Sequence, residues 1–154
     1  SQVEFSGNKW TERGHELEPF ARKMYEAITG NQVEEVGMVY RDEEKDIGFS
    51  PDGLIKNGDD WDKGLGIKCP KPSKDIGYVL TGKLPSAYVP QVMGSLMLSG
   101  IDSWDFVSYH PEYRPLIITI EPDEKWIKKA SPIFDEFIDK LKEEKAKIDA
   151  SKLF

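Results

Sequence analysis

From Glu16 to Ile28 the apolar side chains Leu17, Phe20, Ala21, Met24, Tyr25 and Ile28 recur at helical spacing, and Gly30 follows as a stop. A helix is predicted there, with Pro19, which has no amide hydrogen to donate, either in its first turn or at a kink. The period then changes. Val33 to Asp42, Gly48 to Lys56 and Leu65 to Lys68 read as strands of an antiparallel meander, divided by acidic and Asn-Gly-Asp-Asp turn signals. Pro70 to Ser73 leaves the sheet, and Ala87 to Leu98 predicts a second helix with Tyr88, Val92 and Leu96 facing the core and Gly100 ending it. Trp104 to Tyr109 and Leu116 to Ile120 are again strand-like and are expected to pair, the β-branched run of the second suiting a buried strand. Asp123 can cap a last helix whose core face is Trp126, Ile127, Ala130, Phe134, Phe137, Ile138 and Leu141. The order α, β, β, β, α, β, β, α predicts an α/β fold: a mixed central β-sheet flanked by helices.

Residues 1–154 make about one domain, with no internal repeat and no linker to divide it. Hydrophobic residues at 38% with four tryptophans exclude a disordered polyelectrolyte. A net charge of −7 excludes a protein that coats nucleic acid through bulk positive charge, so any such contact must be local. One local excess exists: Lys63, Lys68, Lys71, Lys74 and Lys83 stand against Asp75 alone, a footprint suited to phosphate. Cys69 is the only cysteine, which excludes an intrachain disulfide and a cysteine-based zinc site, and His15 and His110 are too few for a histidine-rich one. No apolar run reaches membrane-spanning length and no signal peptide opens the chain, so a cytoplasmic protein without a membrane partner is expected.

The chemistry gathers at Ser50-Pro51-Asp52-Gly53-Leu54 and, 14 residues after Asp52, at Gly66-Ile67-Lys68-Cys69-Pro70. Residues two apart on a strand share a face, so an acid at one strand end and an acid-x-Lys on the next bring carboxylates and an ammonium together. Such a group suits a hard divalent ion and a lysine that orients water at a phosphate. The pattern resembles that of the PD-(D/E)xK nuclease superfamily, with Gly66 where the middle carboxylate is expected. Taken singly, Asp52 is an Asp-Gly turn, Lys68 an exposed strand lysine, Gln91 a helix surface residue and Cys69 a small packed side chain.

The wider series resembles the phage lambda exonuclease family of alkaline, recombination-associated exonucleases. The stretches Leu17-Glu18-Pro19-Phe20-Ala21-Arg22, Val39-Tyr40-Arg41-Asp42-Glu43, Ser50-Pro51-Asp52-Gly53, Gly64-Leu65-Gly66-Ile67-Lys68-Cys69-Pro70, Tyr88-Val89-Pro90-Gln91 and Trp104-Asp105-Phe106 are similar to the family's motifs in form and order, except that Gly66 stands where the family has glutamate. The resemblance implies a PD-(D/E)xK restriction-endonuclease-like core and a 5′-to-3′ exonuclease that acts on the ends of linear double-stranded DNA and leaves 3′ overhangs for recombination. It implies Mg²⁺, or Mn²⁺, held by Asp52, the Ile67 backbone carbonyl and an acid at the position of Gly66. Lys68 would be the catalytic lysine, Glu18 and Gln91 would line the metal and water site, and Ser50 and Lys74 would hold the 5′-phosphate.

It further implies a homotrimeric ring, a phage single-strand annealing protein as partner, and a phage- or prophage-encoded protein in the bacterial cytoplasm. Gly66 implies an impaired enzyme or, alternatively, a natural non-catalytic protein that binds DNA ends and recruits the annealing protein. The family's N-terminal helical segment, with its W-x-x-x-R, is expected to be missing.

Overall fold

Helix α1 runs from Gln2 to Thr29 in the computed structural model, which describes residues 2–41, 48–71, 77 and 80–152. It begins well before the amphipathic stretch, and Pro19 lies exposed inside it, where the carbonyl four residues back can turn to water. Ala21 and Tyr25 are fully buried and Leu17 packs on the same cluster, but Phe20, Met24 and Ile28 are exposed. One stripe of α1 meets the sheet, and the exposed stripe lies about 100° around the helix from it.

The expected meander divides into two sheets. Strand β1 (Val39–Tyr40) pairs antiparallel with β2 (Gly48–Phe49) as a separate ribbon, and the Val33 end contributes only a bridge between Glu34 and Leu54. Ser50-Pro51-Asp52 interrupts the expected second strand, since Pro51 cannot donate to a ladder, and pairing resumes in β3 (Gly53–Asn57). Strand β4 (Asp60–Lys68) is longer than expected and follows a turn at Gly58 with φ +69.

The main sheet has the order β3-β4-β5-β6, where β5 is Ser103–Ser108 and β6 is Leu116–Ile120. Only β4 and β5 run parallel, which makes the sheet mixed, as expected; Gly64 lies opposite Trp104 and Gly66 opposite Phe106. Strand β6 pairs with β5 but is half-buried rather than buried, because it forms the sheet edge.

Helix α2 (Val89–Ser99) follows a 3-10 turn at Ser86–Tyr88 and ends at Gly100, whose φ of +69 lets its N–H reach the Leu96 carbonyl at 3.0 Å. Asp123 caps α3 (Glu124–Ser151), its carboxylate accepting from the Lys125 and Trp126 amides at 3.0 and 3.3 Å. The α3 core face is narrower than its pattern suggests: Ile138 is buried and Trp126 packs inward, while Phe137 and Leu141 are exposed.

Two apolar clusters result. One joins α1 to Ile55, Leu65, Ile67, Val107 and Tyr109, and the other joins α2 to Trp104, with Phe49, Ile120 and Trp126 around it. Strand β4 belongs to both, because alternate residues face opposite sides of a sheet: Leu65 and Ile67 serve the first cluster, Gly64 and Gly66 lie against Trp104 in the second. Asp105, 2% exposed, accepts from Tyr25 Oη at 2.5 Å and Thr119 Oγ1 at 2.6 Å and meets Lys63 Nζ at 3.3 Å. Lys63 is thereby committed to an internal ion pair and leaves the basic footprint read from sequence.

Candidate functional site

The break that ends β2 also creates the site. Asp52 sits just before β3, where its amide donates to the Leu65 carbonyl at 2.9 Å and its Oδ2 accepts from the Ile67 amide at 2.6 Å. Backbone on β4 thus fixes the carboxylate beside the end of that strand. Glu18, reaching over from α1, stands beside Asp52. Burial, then the adjacent Asp52 carboxyl, push the Glu18 carboxyl up to about 7, with Arg22 pulling the other way.

Arg22 is the clamp behind this pair. Its guanidinium meets Glu18 at 3.1 Å, pairs with Glu35 and donates from Nε to the Asp52 carbonyl at 3.2 Å. On the far side of β4, Lys68 shares a strand face with Gly66. Its ammonium stands over the Tyr88 ring, 5.0 Å from the centroid, and meets no carboxylate within ion-pair distance among the described residues.

Two linked cavities open onto these groups. One, about 260 Å³, is lined by the aromatic rings of Phe49, Tyr88, Trp104 and Phe106, with Ser50, Asp52, Gly66, Lys68 and Gln91 at its polar side. The other, about 400 Å³, is shallower and more polar, and adds His15, Glu18 and Cys69. Ser50, Asp52, Lys68 and Gln91 border both. Of the residues singled out by sequence, Glu18, Ser50, Asp52, Gly66, Ile67, Lys68 and Gln91 therefore converge, whereas Lys74 lies outside the described residues. Cys69 is half-buried, and burial pushes its thiol up to about 11, against a role as nucleophile.

Gly66 has no side chain, and the space beside it is taken. A Cβ built there would lie 2.8 Å from Trp104 Nε1, so the indole occupies the space where a side chain at 66 would begin. A hard divalent ion takes six or more oxygens and leans on carboxylates. Here Glu18 and Asp52 are the two carboxylates on hand, one Asp52 oxygen is engaged by the Ile67 amide, and among the described residues no three His, Cys, Asp or Glu form a group able to hold a metal. The residues present do not fit such an ion.

Trp104 and Arg22 were visible in the sequence as motif members but carried no role. The signal for Arg22 was its spacing four residues from Glu18. The signal for Trp104 was Gly-x-Gly at residues 64 to 66, which leaves a notch on one face of a strand for a bulky neighbour.

No helix among the described residues is long and apolar enough to cross a membrane. No curated protein sequence matches the chain. Among solved structures, the alkaline exonuclease LHK-Exo of Laribacter hongkongensis is similar at 33% identity over 94% of this chain and 75% of that one, with a TM-score of 0.76. LHK-Exo in complex with dAMP is similar at 30% identity over 91% of this chain and 75% of that one, with a TM-score of 0.67. Residues 1–102 match the YqaJ-like viral recombinase domain, and the chain belongs to that family.

Proposed function

We propose that this chain acts on the ends of linear double-stranded DNA, with the fold and cleft of a 5′-to-3′ exonuclease that would expose 3′ overhangs for recombination, and that Gly66 disables its hydrolytic step. The observation that carries this reading is the convergence of Asp52, Glu18, Gln91 and Lys68 on the two linked cavities at the end of β4. Likeness to an alkaline exonuclease over nearly the whole chain supports the reaction class.

In this reading Lys68 meets the phosphate backbone, Ser50 and Lys74 take the 5′-phosphate, and Gln91 orients the strand between the cavities. An intact site with an acid at 66 would use Mg²⁺, or Mn²⁺. A chain of this length has a radius of gyration of about 15 Å, too small for one copy to encircle a duplex, and a homotrimeric ring would supply the enclosure. A single-strand annealing protein is the natural consumer of the overhang.

The indole packed at Gly66 favours a second reading, a non-catalytic protein that holds DNA ends and delivers them to the annealing protein. Both readings require preference for ends. Competition between a linear duplex and the same sequence as a closed circle should show linear DNA displacing the labelled probe at much lower concentration. Equal competition by the circle would overturn both, and a purified protein that sizes as a monomer at micromolar concentration would remove the ring.

A further inference from the structure

We infer that the cavity beside Gly66 grips a DNA phosphate directly, without a divalent ion, using the Trp104 indole N–H and the Lys68 ammonium as its donors. This rests on the reading that the cleft takes DNA, and adds how this chain holds it.

Two observations carry the inference. First, Trp104 is 5% exposed, and among the described residues its indole N–H has no hydrogen-bond partner. No buried side-chain nitrogen or oxygen among the described residues lacks a partner, so this N–H is not sealed in the core but open to solvent, free to donate to a ligand. Trp104 lines the 260 Å³ cavity, and Nε1 is the atom nearest to a Cβ built on Gly66, so this donor lies at the gap left by the missing side chain. Second, Lys68 lines the same cavity and meets no carboxylate among the described residues, while the Tyr88 ring holds its ammonium in place.

A carboxylate at 66 would face the same space as Lys68 and repel a phosphate unless a cation lay between them. Gly66 removes that charge and leaves two donors aimed at one cavity, an arrangement complementary to an anion and not to a metal ion. Aromatic walls from Phe49, Tyr88 and Phe106 border the contact and lower the local dielectric, which strengthens it.

The experiment is fluorescence anisotropy with a labelled linear duplex, in EDTA and in Ca²⁺, for the unchanged chain, Trp104→Phe and Gly66→Glu. Trp104→Phe keeps an aromatic ring over Gly64 while deleting the donor. The expected results are tight binding by the chain in EDTA, binding by Trp104→Phe about tenfold weaker in EDTA, and binding by Gly66→Glu at least tenfold weaker in EDTA but recovered in Ca²⁺.

The inference is overturned if the chain binds duplex only once Ca²⁺ is added, or if Gly66→Glu binds as tightly as the chain in EDTA. Unchanged affinity in a folded Trp104→Phe also overturns it, and should that variant not fold, the Gly66→Glu comparison decides. Displacement of the duplex by micromolar inorganic phosphate would assign the cavity to a free anion instead. Absence of duplex binding in both EDTA and Ca²⁺ would remove the DNA reading itself, a result distinct from the loss of metal independence.

Discussion

Replacing Gly66 by glutamate tests the whole account of the site with one side chain. A Cβ there would lie 2.8 Å from Trp104 Nε1 and 3.5 and 3.6 Å from Cε2 and Cζ2, so only the indole edge obstructs it. Since ordinary contact begins at 3.4 Å, that edge must retreat by about 0.6 Å. Overpacking of this kind costs about 1–3 kcal/mol, and Trp104 sits beside cavity space into which it can move. Urea unfolding should show a lower midpoint at an unchanged slope.

Against that cost, the new carboxylate joins Asp52 and Glu18 and gives the site a third acidic donor. A bound divalent ion contributes several kcal/mol to charge stabilisation at a phosphate, and each 1.4 kcal/mol is tenfold in rate. Digestion of a 5′-phosphorylated linear duplex in Mg²⁺ should therefore rise by about a hundredfold or more over the unchanged chain, and vanish in EDTA. A folded Gly66→Glu variant with no Mg²⁺-dependent digestion would disprove the role given to residue 66. So would an unchanged chain that already digests as fast as the variant.

Asp105→Ala should destabilise the fold by about 3 kcal/mol in chemical denaturation, since it strands the Lys63 ammonium and removes the acceptor of the buried Tyr25 hydroxyl. Burial and Asp105 raise the Tyr25 phenol above its ordinary value, so its contribution to stability is complete below about pH 10 and is lost as pH climbs through the folded value. Tyr25→Phe should flatten that alkaline fall in a pH series of unfolding curves. Glu18, raised to about 7, contributes stability that is whole below its ordinary 4.5 and is lost as pH rises through 7. Carboxyl ¹³C shifts should show it titrating near 7, and Asp52→Asn should lower that midpoint. Alkylation of Cys69 by iodoacetamide should be slow at pH 8 and accelerate towards pH 11; fast reaction at pH 8 would contradict its burial.

The sequence made the element order and the sheet type legible, because apolar periodicity and the glycines at 30 and 100 mark where elements stop. It overstated burial on α1 and α3. Phe20, Met24, Phe137 and Leu141 lie at helical spacing, yet periodicity reports only that a face is apolar, not how much of it meets the sheet. It also counted Lys63 as a phosphate contact, since a charge sum along the chain cannot see a partner 42 residues away such as Asp105. Gly66 and Lys68 were readable because strand alternation puts them on one face, and Asp52 because it stands at a strand end. The indole across Gly66 was not, because it depends on the parallel register of β4 with β5, which is set by the tertiary fold.

Strand β4 is bonded on both edges, antiparallel to β3 and parallel to β5, and those ladders use only backbone groups. The frame that aims Lys68 and receives the Asp52 carboxylate consequently takes none of its own bonds from the side chain at residue 66, and a larger one there presses on the Trp104 indole rather than on the ladders. On the proposed function, cutting and holding would differ by one residue whose packing cost of about 1–3 kcal/mol leaves the backbone frame in place, so selection could lose or regain hydrolysis here without first passing through a protein that fails to fold.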